Sequence, residues 1–209
     1  MKQLSLSIVI IVLTTLAIAP VTADAQVDLH FGTKGGMIAS SISSDITNAE
    51  TKRGLIIGGF VEIRMGALSL QPELMYVSRG YELKQAALPK VGDIKEVEIN
   101  YVELPILVKY APVSTQLVRP HLFAGPAIAV EIGATSYTYT SEAEVSDLVH
   151  NVEVNGVIGV GVDIALGTGN IVFDFRYMHG LTSTFDTGKP EVSDGGKNTG
   201  FAVMAGYSL

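Results

Sequence analysis

The sequence predicts an all-β fold, an eight-stranded antiparallel up-and-down transmembrane β-barrel, on three observations. Apolar residues recur with period two in eight segments, and helical periodicity is nearly absent after Gln26. The links between those segments alternate between long and short. Within each segment one face is free of charge, and the charges gather on the other.

The segments span approximately 27–39, 54–65, 67–79, 97–110, 117–132, 152–165, 170–181 and 199–209. Links after the first, third, fifth and seventh are long and polar: 40–53, 80–96, 133–151 and 182–198. Links after the second, fourth and sixth are short: around Gly66, APVSTQ at 111–116, and LGTG at 166–169. Long loops at one end and tight turns at the other are the asymmetry of an outer-membrane barrel. A soluble meander has no physical reason to keep it.

In NYVELPILVKY, residues Val102, Leu104, Ile106, Val108 and Tyr110 share one face. Tyr101, Glu103, Pro105, Leu107 and Lys109 share the other. Leu55, Ile57, Gly59, Val61, Ile63 and Met65 oppose Glu62 and Arg64 in the second segment. In the sixth, Ile158, Val160, Val162 and Ile164 oppose Gly159, Gly161 and Asp163. In the seventh, Ile171, Phe173, Phe175 and Tyr177 oppose Asp174 and Arg176.

A soluble sandwich would show water a face rich in lysine and glutamate. Here the polar faces are sparse and glycine-rich, including Gly125, Ala127, Gly159 and Gly161. That suits the narrow, side-chain-filled interior of eight strands, with the apolar faces on lipid. Lipid cannot satisfy an open sheet edge, so the ring must close.

The charges assigned to the interior are Asp28, Glu62, Glu73, Glu103, Glu131, Asp163 and Asp174 against Lys34, Arg64, Arg79, Lys109, Arg119 and Arg176. This near balance predicts a plugged lumen held by cross-strand pairs; a wide pore would need more strands. Turn geometry predicts that Lys109 and Arg119 approach one another across 111–116, with acids from neighbouring strands close by. It also brings Asp163 near Asp174, with Arg176 on the diagonal.

Residues 1–25 read as a signal peptide: Lys2, the apolar run LSIVIIVLTTLAIA, then Ala23-Asp24-Ala25 as a small-x-small cleavage site. The barrel domain is then 26–209, exported to the outer membrane. The chain has no cysteine, which excludes disulfides, thiolate metal sites and a cysteine nucleophile. A formal charge of −7 without a basic cluster argues against a nucleic-acid partner.

Several segments carry a resemblance. GTKGGMIAS, LSLQPELMYVSRG, NYVELPILVKY, RPHLFAGPAIA and FDFRYMHGLT occur in the order found in the PorT-like outer-membrane β-barrel family of Bacteroidetes. The chain resembles that family over essentially its whole mature length. The resemblance implies an eight-stranded barrel in a Gram-negative outer membrane and carries little about activity. PorT itself is linked to a secretion system for cell-surface proteins, which leaves an accessory role in secretion as an alternative. Outer-membrane barrels often end in Phe or Trp, read by the assembly machinery, whereas this chain ends at Leu209. Phe201, Val203, Tyr207 and Leu209 still keep the apolar face.

No motif reads as catalytic, and no cofactor or metal is expected. His179, Ser183 and Asp186 lie close in sequence, but triad members meet in space and not by local spacing. His30, His121, His150 and His179 are scattered without paired carboxylates at ligand spacing. Asp194-Gly195-Gly196 lacks the other ligands of a calcium loop, and GVGVDIALGTGN has no following helix to make a phosphate loop. Aromatic residues suggest interfacial girdles: Tyr110, Phe173 and Tyr207 near the short turns, and Tyr76, Tyr177 and Phe31 farther along.

The expectation is a monomeric, non-enzymatic barrel, partnered by lipid and by the assembly machinery during insertion. Its structural or adhesive work would fall to the four polar loops. The alternative is a lipocalin-like barrel for a small apolar ligand, which requires apolar residues inside and charges outside.

Overall fold

A computed structural model describes residues 27–43, 49–83, 94–138, 142–144, 151–184 and 197–209. The N-terminal segment read as a signal peptide lies outside them. The strands are β1 (Val27–Ser43), β2 (Ala49–Met65), β3 (Leu68–Leu83), β4 (Ile94–Tyr110), β5 (Val118–Thr138), β6 (Glu142–Glu144), β7 (Val152–Leu166), β8 (Gly169–Gly180) and β9 (Lys197–Ser208). All neighbours are antiparallel, in the order β4-β3-β2-β1-β9-β8-β7-β5, and β4–β5 pairing closes the ring. Eight strands therefore form a complete barrel.

Closure between the first and last strands is a backbone matter. Phe31 N–H donates to the Leu209 carbonyl at 3.0 Å, and Leu209 N–H donates to the Phe31 carbonyl at 2.8 Å. The last residue is thus tied into the sheet with an outward apolar side chain.

Two differences from the sequence reading share one cause. The strands reach into the links read as loops: β1 runs to Ser43, β2 starts at Ala49, and β5 continues to Thr138. Within 133–151 lies the three-residue β6, paired to β5 through Thr135↔Glu144 and Tyr137↔Glu142. Ladder hydrogen bonds are made by the backbone, so pairing continues past the point where apolar alternation, the signal used, has ended.

The short connections follow their composition. Gly66 has φ +66° and Gly167 φ +63°, left-handed conformations that favour glycine in two-residue hairpin turns. In APVSTQ, Thr115 Oγ1 accepts from Val118 N–H at 2.9 Å, and Thr115 N–H donates to the Val118 carbonyl at 3.0 Å.

The face assignment sets the barrel inside out. Leu55, Ile57, Val108, Tyr110, Ile158, Val160, Phe173 and Phe175 are about half exposed, whereas Tyr101, Glu103, Leu107, Lys109 and Arg176 are at most 1% exposed. Outward side chains from Leu68 to Tyr76 and from Tyr110 to Val102 are apolar or tyrosine. That matches the ~9–11 residues a tilted strand needs to cross the hydrocarbon core. Above this belt the outer surface turns polar: the Tyr76 hydroxyl donates to Asn100 Oδ1 at 2.9 Å, and Arg53 and Thr51 are exposed. Phe31 departs from its expected place. It pairs with Val61 on β2 and with the chain terminus, so it belongs to the short-turn end.

The charge-paired interior as candidate site

Three groups of polar side chains fill the lumen, each placed by strand parity. Nearest the short turns, Glu62 accepts from Arg64 Nη2 at 2.9 Å and from Arg119 Nη1 at 2.8 Å. Asp163 Oδ2 accepts from Arg64 at 3.3 Å and from Arg119 at 3.4 Å. Lys109 Nζ lies 3.5 Å from Glu62 and 3.8 Å from Asp163. Arg119 also donates to Ser69 Oγ at 2.9 Å.

Lys109 and Arg119 do not face each other in the ladder, because Lys109 pairs with Phe123. They meet through the same two acids. The expected approach across the turn is therefore an approach to shared partners, since a residue near a six-residue link has its register set by the ladder beyond it.

Along the barrel axis comes a second group. Lys34 Nζ sits 2.7 Å from Glu73 Oε1 and 2.5 Å from Asp174 Oδ2. Arg176 donates to Glu73 at 3.0 and 3.3 Å and to Asp174 at 3.3 Å. Gln71 Nε2 donates to Glu73 Oε1 at 2.6 Å. Asp163 and Asp174 are not direct partners in the ladder, where Asp174 faces Gly161. Between them stands His121, with Nε2 3.2 Å from Asp174 and Nδ1 3.8 Å from Asp163.

On the loop side, Arg79 Nη2 donates to both Glu103 oxygens at 3.1 and 3.2 Å, and Asn155 donates to Glu103 at 2.8 Å. The Tyr101 hydroxyl donates to Glu153 at 2.7 Å, and Asn198 donates to the same carboxylate at 3.2 Å. Glu131 is 6% exposed at the upper end of β5. Asp28 differs: it is exposed near the start of β1, opposite Arg64 in the ladder.

The strands also point an apolar cluster into the lumen. Ile38, Ile56, Met75 and Val77 from β1–β3 meet Met178, Ala202 and Met204 from β8 and β9. Aromatic rings lie beside the cations: Phe60 is 5.0 Å from Lys34 Nζ, and Phe123 is 5.4 Å from the Arg176 guanidinium carbon. Such placements add modest attraction where water is excluded. Glycine creates the room. A Cβ at Gly159 would collide with the Phe123 ring, and one at Gly161 with His121 and Asp174.

Charges buried in this way are costly unless every one is answered, and the cost falls on any register that separates them. Sequence reasoning weighed His121 only as a metal ligand and did not single out Glu153, Asn155, Gln71 or Asn198. Parity could have found most of them: Glu153 and Asn155 continue the Gly159–Asp163 face of β7, and His121 lies between Arg119 and Phe123.

Of His179, Ser183 and Asp186, the first two lie within the described residues. His179 Nδ1 lies 3.4 Å from the Tyr177 hydroxyl on the outer wall, and Asp186 is outside the described residues, as is His150. Among the described residues no three His, Asp or Glu side chains are grouped to hold a metal, and none of their helices is long and apolar enough to cross a membrane, which says nothing of strands.

Residues 24–186 match the family described as outer membrane protein beta-barrel domain. No curated protein matches the chain. Among solved structures, Neisserial surface protein A (NspA) is similar at TM-score 0.50 and 15% identity, over 86% of this chain and 96% of that one. Ail, the attachment invasion locus protein of Yersinia pestis, gives 0.48 and 13%, over 86% and 98%. The outer membrane protease OmpT of Escherichia coli gives 0.40 and 11%, over 90% and 98%. At these identities the likeness concerns the fold. With a closed eight-stranded ring, an apolar outer belt and a family match over most of its length, this chain belongs to the outer membrane protein beta-barrel domain family and is a small outer-membrane β-barrel protein.

Proposed function

We propose that the barrel is a sealed membrane anchor whose work, adhesive or accessory to the cell envelope, is done by the polar segments at its long-link end. The observation that carries this reading is the filled lumen: paired charges toward the short turns and the axis, then an apolar cluster beside further pairs. Ions crossing it would have to part these buried charge pairs. With transport set aside, what varies freely on such a scaffold is the loop end.

The reading includes export through the N-terminal segment, insertion by the barrel-assembly machinery, and a monomer surrounded by lipid. A PorT-like assignment, with a part in secretion, rests on the motif order alone. An apolar-ligand barrel is disfavoured, because the ion pairs occupy the space its ligand would need.

Planar-bilayer recording of the refolded chain tests the seal. A sealed anchor adds no discrete conductance steps, and steady ohmic steps at neutral pH would reject it. Replacing segment 185–196 by a short turn should leave the barrel folded and abolish surface attachment. Unchanged attachment after replacing each long link in turn would reject the loop assignment.

A further inference from the structure

The outer wall carries a groove of about 440 Å³ across β4, β5, β7 and β8. Two rows of side chains, matched in the ladder, form its walls. One row runs Tyr110, Leu122, Val160 and Phe175, since Tyr110↔Leu122, Leu122↔Val160 and Val160↔Phe175 are direct pairs. The other runs Val108, Ala124, Ile158 and Tyr177 by the same pairings. Between them the backbone positions point inward at Phe123 and Gly159, and Ala124 leaves a gap in its row.

We infer that this groove is a binding site for one acyl chain of a phospholipid in the periplasmic leaflet. The groove is continuous with the lipid-facing belt, and its lining is apolar except for two tyrosine hydroxyls. It starts at Tyr110, beside the short turn 111–116, and so opens at the periplasmic end. It crosses three strand spacings, roughly 14 Å, and is two residues, roughly 7 Å, wide. That shape fits an extended hydrocarbon chain. It is far below the ~800 Å² per partner of a stable protein interface, so a second copy of the chain would not be held there.

The walls are also preorganised. Val108, Val160 and Ile158 are β-branched and stiff at χ1. At the far end the Phe201 ring supports the wall: its centroid lies 4.9 Å from that of Tyr177, tilted, and 6.0 Å from that of Phe175, stacked. Rigid walls reduce the entropy lost on binding.

Native mass spectrometry of the full chain, refolded in a non-ionic detergent, tests the site with phosphatidylethanolamine and lipid A as separate probes. The wild type should retain one phosphatidylethanolamine through detergent release. Ala124→Phe should lower the retained fraction about tenfold, the change that ~1.4 kcal/mol gives. Ala205→Phe, outward on β9 and outside the groove, should retain lipid as the wild type does. Heat-dependent gel mobility verifies folding, and should Ala124→Phe not fold, Val160→Ala must show the loss by removing a wall. Equal retention by wild type and the groove variants, retention of lipid A alone, or a dimer without lipid would each overturn the proposal.

Discussion

Arg176 offers the sharpest perturbation of the interior. Its side chain is 0% exposed and gives three hydrogen bonds to Glu73 and Asp174. Arg176→Met keeps much of the volume against Phe123 and removes the charge. Glu73 and Asp174 would then keep Lys34 between them, with the Gln71 amide beside Glu73 and the His121 ring beside Asp174. Removing one partner of a buried pair costs about 3–5 kcal/mol, because the other charge stays buried and unanswered.

At a urea slope of about 2 kcal/mol/M, the unfolding midpoint should fall by about 1.5–2.5 M. The assay is equilibrium urea unfolding in lipid vesicles, read by circular dichroism and gel mobility. Adding Glu73→Gln should recover part of the loss, with a coupling of about 0.5–3 kcal/mol. A midpoint shift for Arg176→Met within that of an exposed substitution, or strict additivity of the pair, would refute the claim that these charges depend on one another.

The remaining predictions concern the wall and the belt. Gly161→Ala should destabilise by about 1–3 kcal/mol, because its Cβ meets His121, Asp174 and the Phe173 carbonyl. Gly59→Ala, whose Cβ finds only the Gly32 carbonyl at 3.5 Å, should be near neutral in the same unfolding assay. Ile158→Arg, on the lipid side and 59% exposed, should cost about 2–4 kcal/mol if it lies near the bilayer midplane. Thr51→Arg, above the apolar belt beside Arg53, should cost little, and equal effects of the two would place the belt elsewhere.

The barrel was legible in the sequence because lipid imposes a strict rule. Every strand must show one uncharged face, so period two and loop asymmetry survive even where single segments are weak. Val102 to Tyr110 against Glu103 and Lys109 is the plainest case. Partnerships inside were less legible. Glu62 receives Arg64 from its own strand, Lys109 from β4 and Arg119 from β5, a convergence across the lumen that ladder register alone does not disclose.

The ends of strands were hidden for a different reason. Beyond the lipid belt, Ser40, Lys52 and Gly80 are held by backbone pairing and by contacts such as Ser40 Oγ to the Gly80 carbonyl, 3.2 Å, with no apolar rhythm to mark them. The interior apolar cluster was equally hidden. Ile38, Met75 and Met204 look like core residues of any fold until their parity is set beside that of the charges.

Which face meets lipid can be probed cleanly, because the chain contains no tryptophan. Single tryptophans at Val108, 53% exposed, and at Leu107, 0% exposed, can be compared in vesicles containing brominated phospholipid. Val108→Trp should be strongly quenched by the bromine atoms and Leu107→Trp hardly at all. Equal quenching at the two positions, or stronger quenching at 107, would contradict an apolar face on lipid and a charged face within.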